Sequence, residues 1–362
     1  MARFVIKLGS SIVAHDDGSL RAETLDHLAK VVAARRVIGD EVVVVSSGAI
    51  ARGMEVMALK RRPTAIEDLQ AASAVGQGKL FRVYDELMRA HDVTAAQVLL
   101  TFFDLSHREH YLNARNTLRR LLDWGVVPII NENDTTATDE ISFGDNDFLA
   151  AQVAILIEAD RLVLLTGVDG LFDADPARPG ARLIEEVTDY EALSELEIGA
   201  NTSALGSGGM RTKVVAAEMA TAAGIETVAC NGLRDGALER VLDGSREGTL
   251  FAPRDLNYSS FKLWLRYAKP SHGRVTVDAG AARVLREDGT SLLPVGVVAV
   301  QGAFSAGDAV DVFEADRPIG KGISNYSVAD LDQAKGLKSA AVAAKLPHAP
   351  VEAVHRDYFV LV

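Results

Sequence analysis

Residues 126–147, VVPIINENDTTATDEISFGDND, pass without a break from an apolar run into amides, carboxylates and hydroxyls. A short apolar run bounded this way reads as a strand buried on both faces. Open α/β sheets bind ligands beyond the carboxyl ends of their strands, so the polar segment reads as the floor of a small-molecule pocket. Three other strand-like runs end in the same manner: 4–8 into Gly9-Ser10-Ser11, 42–45 into Ser46-Ser47-Gly48, and 162–165 into Thr166-Gly167. Four such exits in one chain point to a shared site.

Working outward, β-branched runs alternate with longer amphipathic stretches. The spacing predicts helices over 20–38, 66–91, 106–124, 145–158 and 210–223, with strands over 41–45, 93–100, 126–130, 161–165 and 226–229. Strands separated by helices imply right-handed crossovers and a mainly parallel open sheet sandwiched by helices, an α/β fold. The texture changes after Pro253. Strands are predicted at 262–267, 274–277, 295–301, 309–313 and 319–324, with short helices at 331–334 and 339–345 and closing extended pieces at 351–354 and 358–361. A boundary is expected near 254–260, giving a first domain of 1–256, a linker of 257–273 and a small β-rich domain of 274–354.

At 362 residues the chain is long enough for two cores. A net charge of −12 argues against gripping a nucleic-acid backbone along much of the surface, although local basic patches remain. The single cysteine, Cys230, excludes an internal disulfide and fits a reducing cytoplasm. No apolar run approaches the roughly 18–20 residues of a membrane span, and Met1 leads quickly into a strand rather than a signal peptide. The expectation is an intracellular protein with no membrane partner.

The loop Gly206-Ser207-Gly208-Gly209-Met210-Arg211-Thr212-Lys213 runs into a helix, so its backbone N–H groups and the helix N-terminus can face an anion. It is neither a Walker A loop nor a dinucleotide fingerprint. Lys7 lies within the first strand, where an unpaired buried ammonium is costly; it either snorkels to solvent or meets a phosphate. Ser46-Ser47-Gly48-Ala49-Ile50 is a second small-residue turn at a helix start, a common cap and also an anion cradle. Asp134, Asp145, Asn146 and Asp147 read as pocket groups and as helix-capping groups, two roles that coexist. None of the eight histidines lies in the glycine-rich exits, which leaves a Ser-His-Asp hydrolase unsupported, and no Cys/His spacing suggests zinc. Two lysines, anion-binding turns and a few acids fit phosphoryl transfer instead. An acceptor that is itself a carboxylate needs no general base.

These segments, with 112–115 (LNAR), 128–134 (PIINEND), 144–147 (GDND) and 208–213 (GGMRTK), occur in the order seen in glutamate 5-kinases, and the resemblance covers nearly the whole chain. The first part resembles the amino-acid kinase fold, and the part from about 274 to 354 resembles a PUA domain. The resemblance implies ATP-dependent phosphorylation of the L-glutamate side-chain carboxylate for proline synthesis. It implies that Ser47, Asp134 and Asn146 bind glutamate, with Gly48, Ala49, Asn131 and Asp145 close by. In that arrangement Asp134 pairs with the α-ammonium, while backbone amides and Asn146 hold the α-carboxylate. Lys7 and Lys213 neutralise the transferring phosphoryl group, Asp147 orients them, and Mg²⁺ bridges the ATP phosphates. ATP is expected against Lys7, Gly9, Ser10, Thr166, Gly167, Gly208, Gly209, Met210, Arg211, Thr212 and Lys213. Many relatives carry Thr-Asp where this chain has Thr166-Gly167, which leaves Thr166, Asp169 and the backbone to meet the nucleotide. Proline as a competing feedback inhibitor and a homo-oligomer, dimer or tetramer, are also implied.

Two other readings compete with this one. The first is a kinase of the same fold acting on another acidic metabolite, such as N-acetylglutamate or aspartate. The second is an RNA-binding regulator acting through the tail, where Lys262, Arg266, Lys269 and Arg274 interleave with Trp264 and Tyr267. Against RNA, such interleaving is commonly a solvated strand edge, and a structural or oligomer-modulating tail is the preferred alternative.

Overall fold

The structure, a computed structural model, describes residues 1–15, 17–101, 104–105, 108–136, 146–190, 193, 209–254, 259–267 and 269–361. Two compact units divide the chain, Met1–Asn257 and Tyr258–Val362.

In the first unit, β1 (Arg3–Leu8), β2 (Glu41–Val45), β3 (Ala95–Leu100), β4 (Val127–Glu132), β5 (Arg161–Thr166), β6 (Glu186–Val187), β7 (Glu226–Asn231) and β8 (Thr249–Phe251) make one sheet. Their order is β3-β4-β2-β1-β5-β7-β8-β6. Every pairing is parallel except β7 with β8, as the alternation of strands and helices predicts. Strand order reverses at β1, which lies between β2 and β5, so the crevice beyond β1 is the switch point where such sheets bind ligands.

Side chains alternate across the sheet, and that alternation decides where Lys7 goes. Phe4, Ile6 and Leu8 join Val42, Val44, Ile129 and Val163 in one core with Leu25 and Leu28 of the helix Ala22–Val37 and Leu80 and Tyr84 of the helix Ile66–Arg89. Val5 and Lys7 therefore face the opposite layer, which the helix Asn146–Ile157 covers. That helix is buried on nearly every side, as expected of one apolar all round. The helices Ala49–Val56 and Ile66–Arg89 cross at backbone contact: a Cβ at Gly76 would lie 1.9 Å from the Ala49 carbonyl oxygen, and one at Gly53 would lie 1.7 Å from that of Ala72.

Several elements depart from the sequence reading. β4 runs on through Asn131 and Glu132, because these residues pair in register with Leu99 and Leu100 of β3 despite their polarity. The helix expected from 106 is described as Arg108–Asp123; residues 106 and 107 lie outside the described residues.

The larger correction falls in the second unit, where 262–267 is part of a helix, Ser260–Tyr267, and not a strand. Phe261, Leu263, Leu265 and Tyr267 imitate the alternation of a strand with one buried face, yet Leu263, Trp264 and Leu265 are all buried, which that alternation does not predict. Phe261 packs edge-on to Tyr358 at 5.2 Å between ring centres, and an Arg266 guanidinium nitrogen donates to the Leu361 carbonyl at 2.7 Å. The helix Ala279–Glu287, capped by the Asp278 carboxylate, is absent from the sequence reading. Strands β9 (Ser271–Val277), β10 (Val297–Gly302), β11 (Ala309–Glu314), β12 (Arg317–Ser324) and β13 (Val354–Leu361) form a sheet in the order β10-β9-β11-β12-β13. In place of the two closing pieces expected at 351–354 and 358–361 there is one strand that begins at Val354 and takes in 358–361, while 351–353 are not extended into it.

Candidate active site

β1 delivers Lys7 to the switch point, and the helix Asn146–Ile157 delivers Asp147 above it. Lys7 Nζ lies 2.5 Å from Asp147 Oδ1, with the two side chains 2% and 0% exposed. On the other side, Lys213 Nζ lies 2.9 Å from Asp147 Oδ2 and is itself buried. One carboxylate between two ammonium groups leaves a net positive charge in a dry place, which suits an anionic ligand. Lys213 is thus a fixed charge, in the first turn of the helix Met210–Ala222. Gly209 caps that helix without a side chain, so its first-turn N–H groups take no side-chain cap among the described residues and can face an acceptor. Thr212 Oγ1 donates to the Gly209 carbonyl at 2.8 Å and approaches Asp147 Oδ2 at 3.3 Å. A side chain at Gly9 would start 3.8 Å from Lys7 Nζ, so glycine there leaves the ammonium approachable. Met210 and Ser10 are half-buried beside these groups' elements, whereas Arg211 is exposed. Gly208 lies outside the described residues.

The neighbouring residue, Asn146, faces a different set of groups. Its Nδ2 donates to the Ser46 carbonyl at 2.6 Å and to Asn131 Oδ1 at 2.8 Å, and stands 3.2 Å from Ser47 Oγ. Asn131 Nδ2 in turn donates to Gln77 Oε1 at 2.6 Å. Ser46 Oγ, 2.8 Å from the buried Tyr84 hydroxyl, ties the start of this series to the helix Ile66–Arg89. Gly48, at φ +98°, makes the left-handed turn that brings Ser47 alongside and starts the helix at Ala49. Both amide hydrogens of Asn146 are spent, so it cannot donate to a substrate carboxylate as the sequence reading supposed. Its Oδ1 is buried with no partner among the described residues, and it offers an acceptor instead.

Asp134 follows β4 and accepts a hydrogen bond from Ser73 Oγ. Burial pushes its carboxyl pKa up, against the opposing effects of the Ser73 hydroxyl and the Arg62 guanidinium. Burial likewise lowers the Arg62 pKa. Asp145 lies outside the described residues.

Thr166 ends β5 and is buried; Gly167 is exposed, and a side chain there would start 3.7 Å from Ser11 Oγ. Asp169 is taken up by Asn231 Nδ2 at 3.0 Å and by Arg234 at 2.8 Å, which removes it as a ready partner for a nucleotide.

Among the described residues no three His, Cys, Asp or Glu side chains gather to hold a metal ion. Asp147, the carboxylate at the phosphoryl side, has both oxygens against ammonium groups. The described residues therefore present no cage for a divalent cation at this point; they fit a polyphosphate whose own oxygens carry one.

Ser73, Gln77, Tyr84 and Arg62 escaped the sequence reading. A signal existed for two of them: Ser73 and Gln77 are polar residues beside Leu69, Ala72, Gly76 and Leu80, the inward positions of an amphipathic helix. Three of the four basic residues of the tail that suggested RNA are engaged within their own unit. Besides the Arg266 bond, Arg274 stacks 3.9 Å over the Phe313 ring and Lys269 lies 5.7 Å over Trp264.

The sheet order and the lysine–aspartate–lysine junction define a phosphoryl-transfer α/β protein, and comparisons with known proteins agree. A model of the amino acid kinase family matches residues 2–231, and one of the PUA domain matches residues 273–346. Glutamate 5-kinase of Burkholderia thailandensis is 46% identical over 99% of this chain and 98% of its own. Those of a Janthinobacterium species and of Meiothermus ruber are each 45% identical over 99% of this chain and 97% and 95% of theirs. Among solved structures, the UMP kinase from Bacillus anthracis superposes with a TM-score of 0.50 at 20% identity, covering 70% of this chain and 97% of that one, a likeness of fold. The chain belongs to the amino acid kinase family, among the glutamate 5-kinases, and carries a C-terminal PUA domain.

Proposed function

We propose that the chain transfers the γ-phosphoryl group of ATP to the side-chain carboxylate of L-glutamate, giving L-glutamyl 5-phosphate, the first step of proline biosynthesis. The observation that carries this reading is the pair of buried ammonium groups meeting on Asp147, one residue away from the amide series around Asn146. A glutamate carboxylate oxygen attacks the γ-phosphorus, a new O–P bond forms, and the bond to the leaving ADP oxygen breaks. The acceptor is already ionised at neutral pH, since a glutamate side chain titrates near 4.3, so the site needs no general base. Lys7 and Lys213 offset the charge that gathers on the phosphoryl oxygens, and Asp147 fixes both ammonium groups before the nucleotide arrives. Mg²⁺ carried by the nucleotide would supply further neutralisation of the same charge.

At the acceptor side, Asp134 and Asn146 Oδ1 receive the α-ammonium, with Ser47, Gly48 and Ala49 lining the same turn. Proline carries an ammonium and a carboxylate on one carbon but no second carboxylate, so it is a natural competitor for these partners. We assign the chemistry to residues 1–256, with 274–354 as a structural or oligomer-modulating PUA module, in a cytoplasmic homo-oligomer. Among the described residues no helix is long and apolar enough to cross a membrane.

Hydroxylamine trapping of the acyl phosphate tests the reading. Hydroxamate should form with ATP and L-glutamate together. Formation with N-acetylglutamate but not with the free amino acid would overturn it, because the Asp134 contact requires a free ammonium.

A further inference from the structure

The hydrogen bonds around Asn146 run in one direction. The Ser46 carbonyl only accepts, so Asn146 must turn its –NH2 toward it, which fixes the otherwise ambiguous amide. Asn146 then donates to Asn131 Oδ1, which sends the Asn131 –NH2 to Gln77 Oε1. Gln77 is the far end of the relay. Its oxygen is occupied, and its –NH2 has no partner among the described residues.

The place of that donor is informative. Ser73 and Gln77 lie four residues apart on the helix Ile66–Arg89, so their side chains emerge on one face about 5–6 Å from each other. Ser73 holds Asp134. One turn apart the helix thus carries the residue that holds a prospective ammonium acceptor, Asp134, and a donor suited to a carboxylate, the two kinds of group that an α-carbon bears side by side. The relay joins Gln77 through Asn131 to Asn146, so Gln77 belongs with the amide groups and not with the lysine pair on Asp147. We propose that Gln77 Nε2 binds the α-carboxylate of the amino-acid substrate and is a specificity-determining residue of the site. This assignment rests on the proposed function and names the substrate contact that it left open.

The Q77E variant separates a contact from a support. Its side chain still accepts from Asn131 but presents a carboxylate where the donor was. The KM for glutamate should rise about 10- to 100-fold, the loss expected of a hydrogen bond to a charged group, while the KM for ATP stays within twofold. The α-carboxamide of glutamate, whose reacting carboxylate is intact and whose amide can donate, should gain on glutamate in relative kcat/KM. A Q77E protein that melts like the parent and keeps the parental ratio of the two substrates overturns the assignment. An equal loss of both substrates also overturns it, leaving Gln77 as a mere support for Asn131. Should Q77E not fold, a crystal of the unaltered protein with ADP and glutamate decides. Gln77 Nε2 must lie within about 3.2 Å of an α-carboxylate oxygen, and any other partner there refutes the proposal. If the unaltered protein phosphorylates no amino acid at all, the function itself fails rather than this contact.

Discussion

Asn146 and Asp147 share one peptide bond, yet their side chains serve opposite halves of the site: Asn146 is bound to the Ser46 carbonyl and Asn131, Asp147 to Lys7 and Lys213. In the proposed reaction the start of a single helix therefore sets the distance between the acid that is phosphorylated and the phosphoryl group that moves. Positioning of this kind supplies much of the catalysis in phosphoryl transfer. It also makes the site depend on one buried helix being seated correctly.

Asp147→Asn tests the charge balance. Two buried ammonium groups would lose the carboxylate they share, and breaking a buried ion pair by removing one partner costs on the order of 3–5 kcal/mol. Urea unfolding should show that loss, with turnover reduced as well. A variant as stable as the parent would mean that water reaches the lysines and that the junction is not dry.

Asp134 gives the acid limb of the pH profile. Burial raises its pKa above the ordinary 3.8, so the carboxyl takes up a proton at a pH where an exposed aspartate stays ionised. Binding the α-ammonium needs the ionised form; kcat/KM for glutamate should therefore fall as pH drops through the raised value. The stability effect has the opposite sense. A group that holds its proton more tightly when folded costs nothing below its unfolded pKa and destabilises the fold above its folded one. Asp134→Asn should abolish the acid limb for glutamate and leave the protein no less stable at neutral pH.

Gly76→Ala probes the helix crossing. The added Cβ would meet the Ala49 carbonyl at 1.9 Å, and backbone cannot move aside as a flexible side chain does. Overpacking of this type costs about 1–3 kcal/mol. Because Gln77 is the next residue and Ala49 follows the Gly48 turn, the KM for glutamate should rise several-fold while that for ATP changes little. A lower melting temperature with unchanged glutamate KM would show that the crossing does not set the pocket.

The sheet and the polar ends of its strands were legible because buried parallel strands leave unbroken apolar runs, and the residues that stop them stand out. Lys7, Asn131, Asn146 and Asp147 stand out in this way, and Lys213 does so through the glycine-rich loop that runs into its helix. Their pairing does not, since it depends on which side of β1 Lys7 points and on where a helix far along the chain begins. Gln77 and Ser73 were hidden inside an amphipathic helix, each a single polar residue in an apolar stripe. The direction of the amide relay cannot be read from residue types at all; it depends on Nδ2 of Asn146 facing a carbonyl. In the tail, Ser260–Tyr267 was misread because eight residues are too few to separate a helical period from a strand period when three consecutive residues are buried.

The central claim is that the two ammonium groups act on the phosphoryl group and not on the amino acid. Parallel measurement of single-turnover phosphoryl transfer and of glutamate affinity in Lys213→Ala tests it most directly. Transfer should slow by about 10²- to 10³-fold, as for the loss of one preorganised charge-stabilising group, with glutamate affinity within about threefold of the parent. Transfer at the parental rate, or a loss of affinity as large as the loss of rate, would contradict the account.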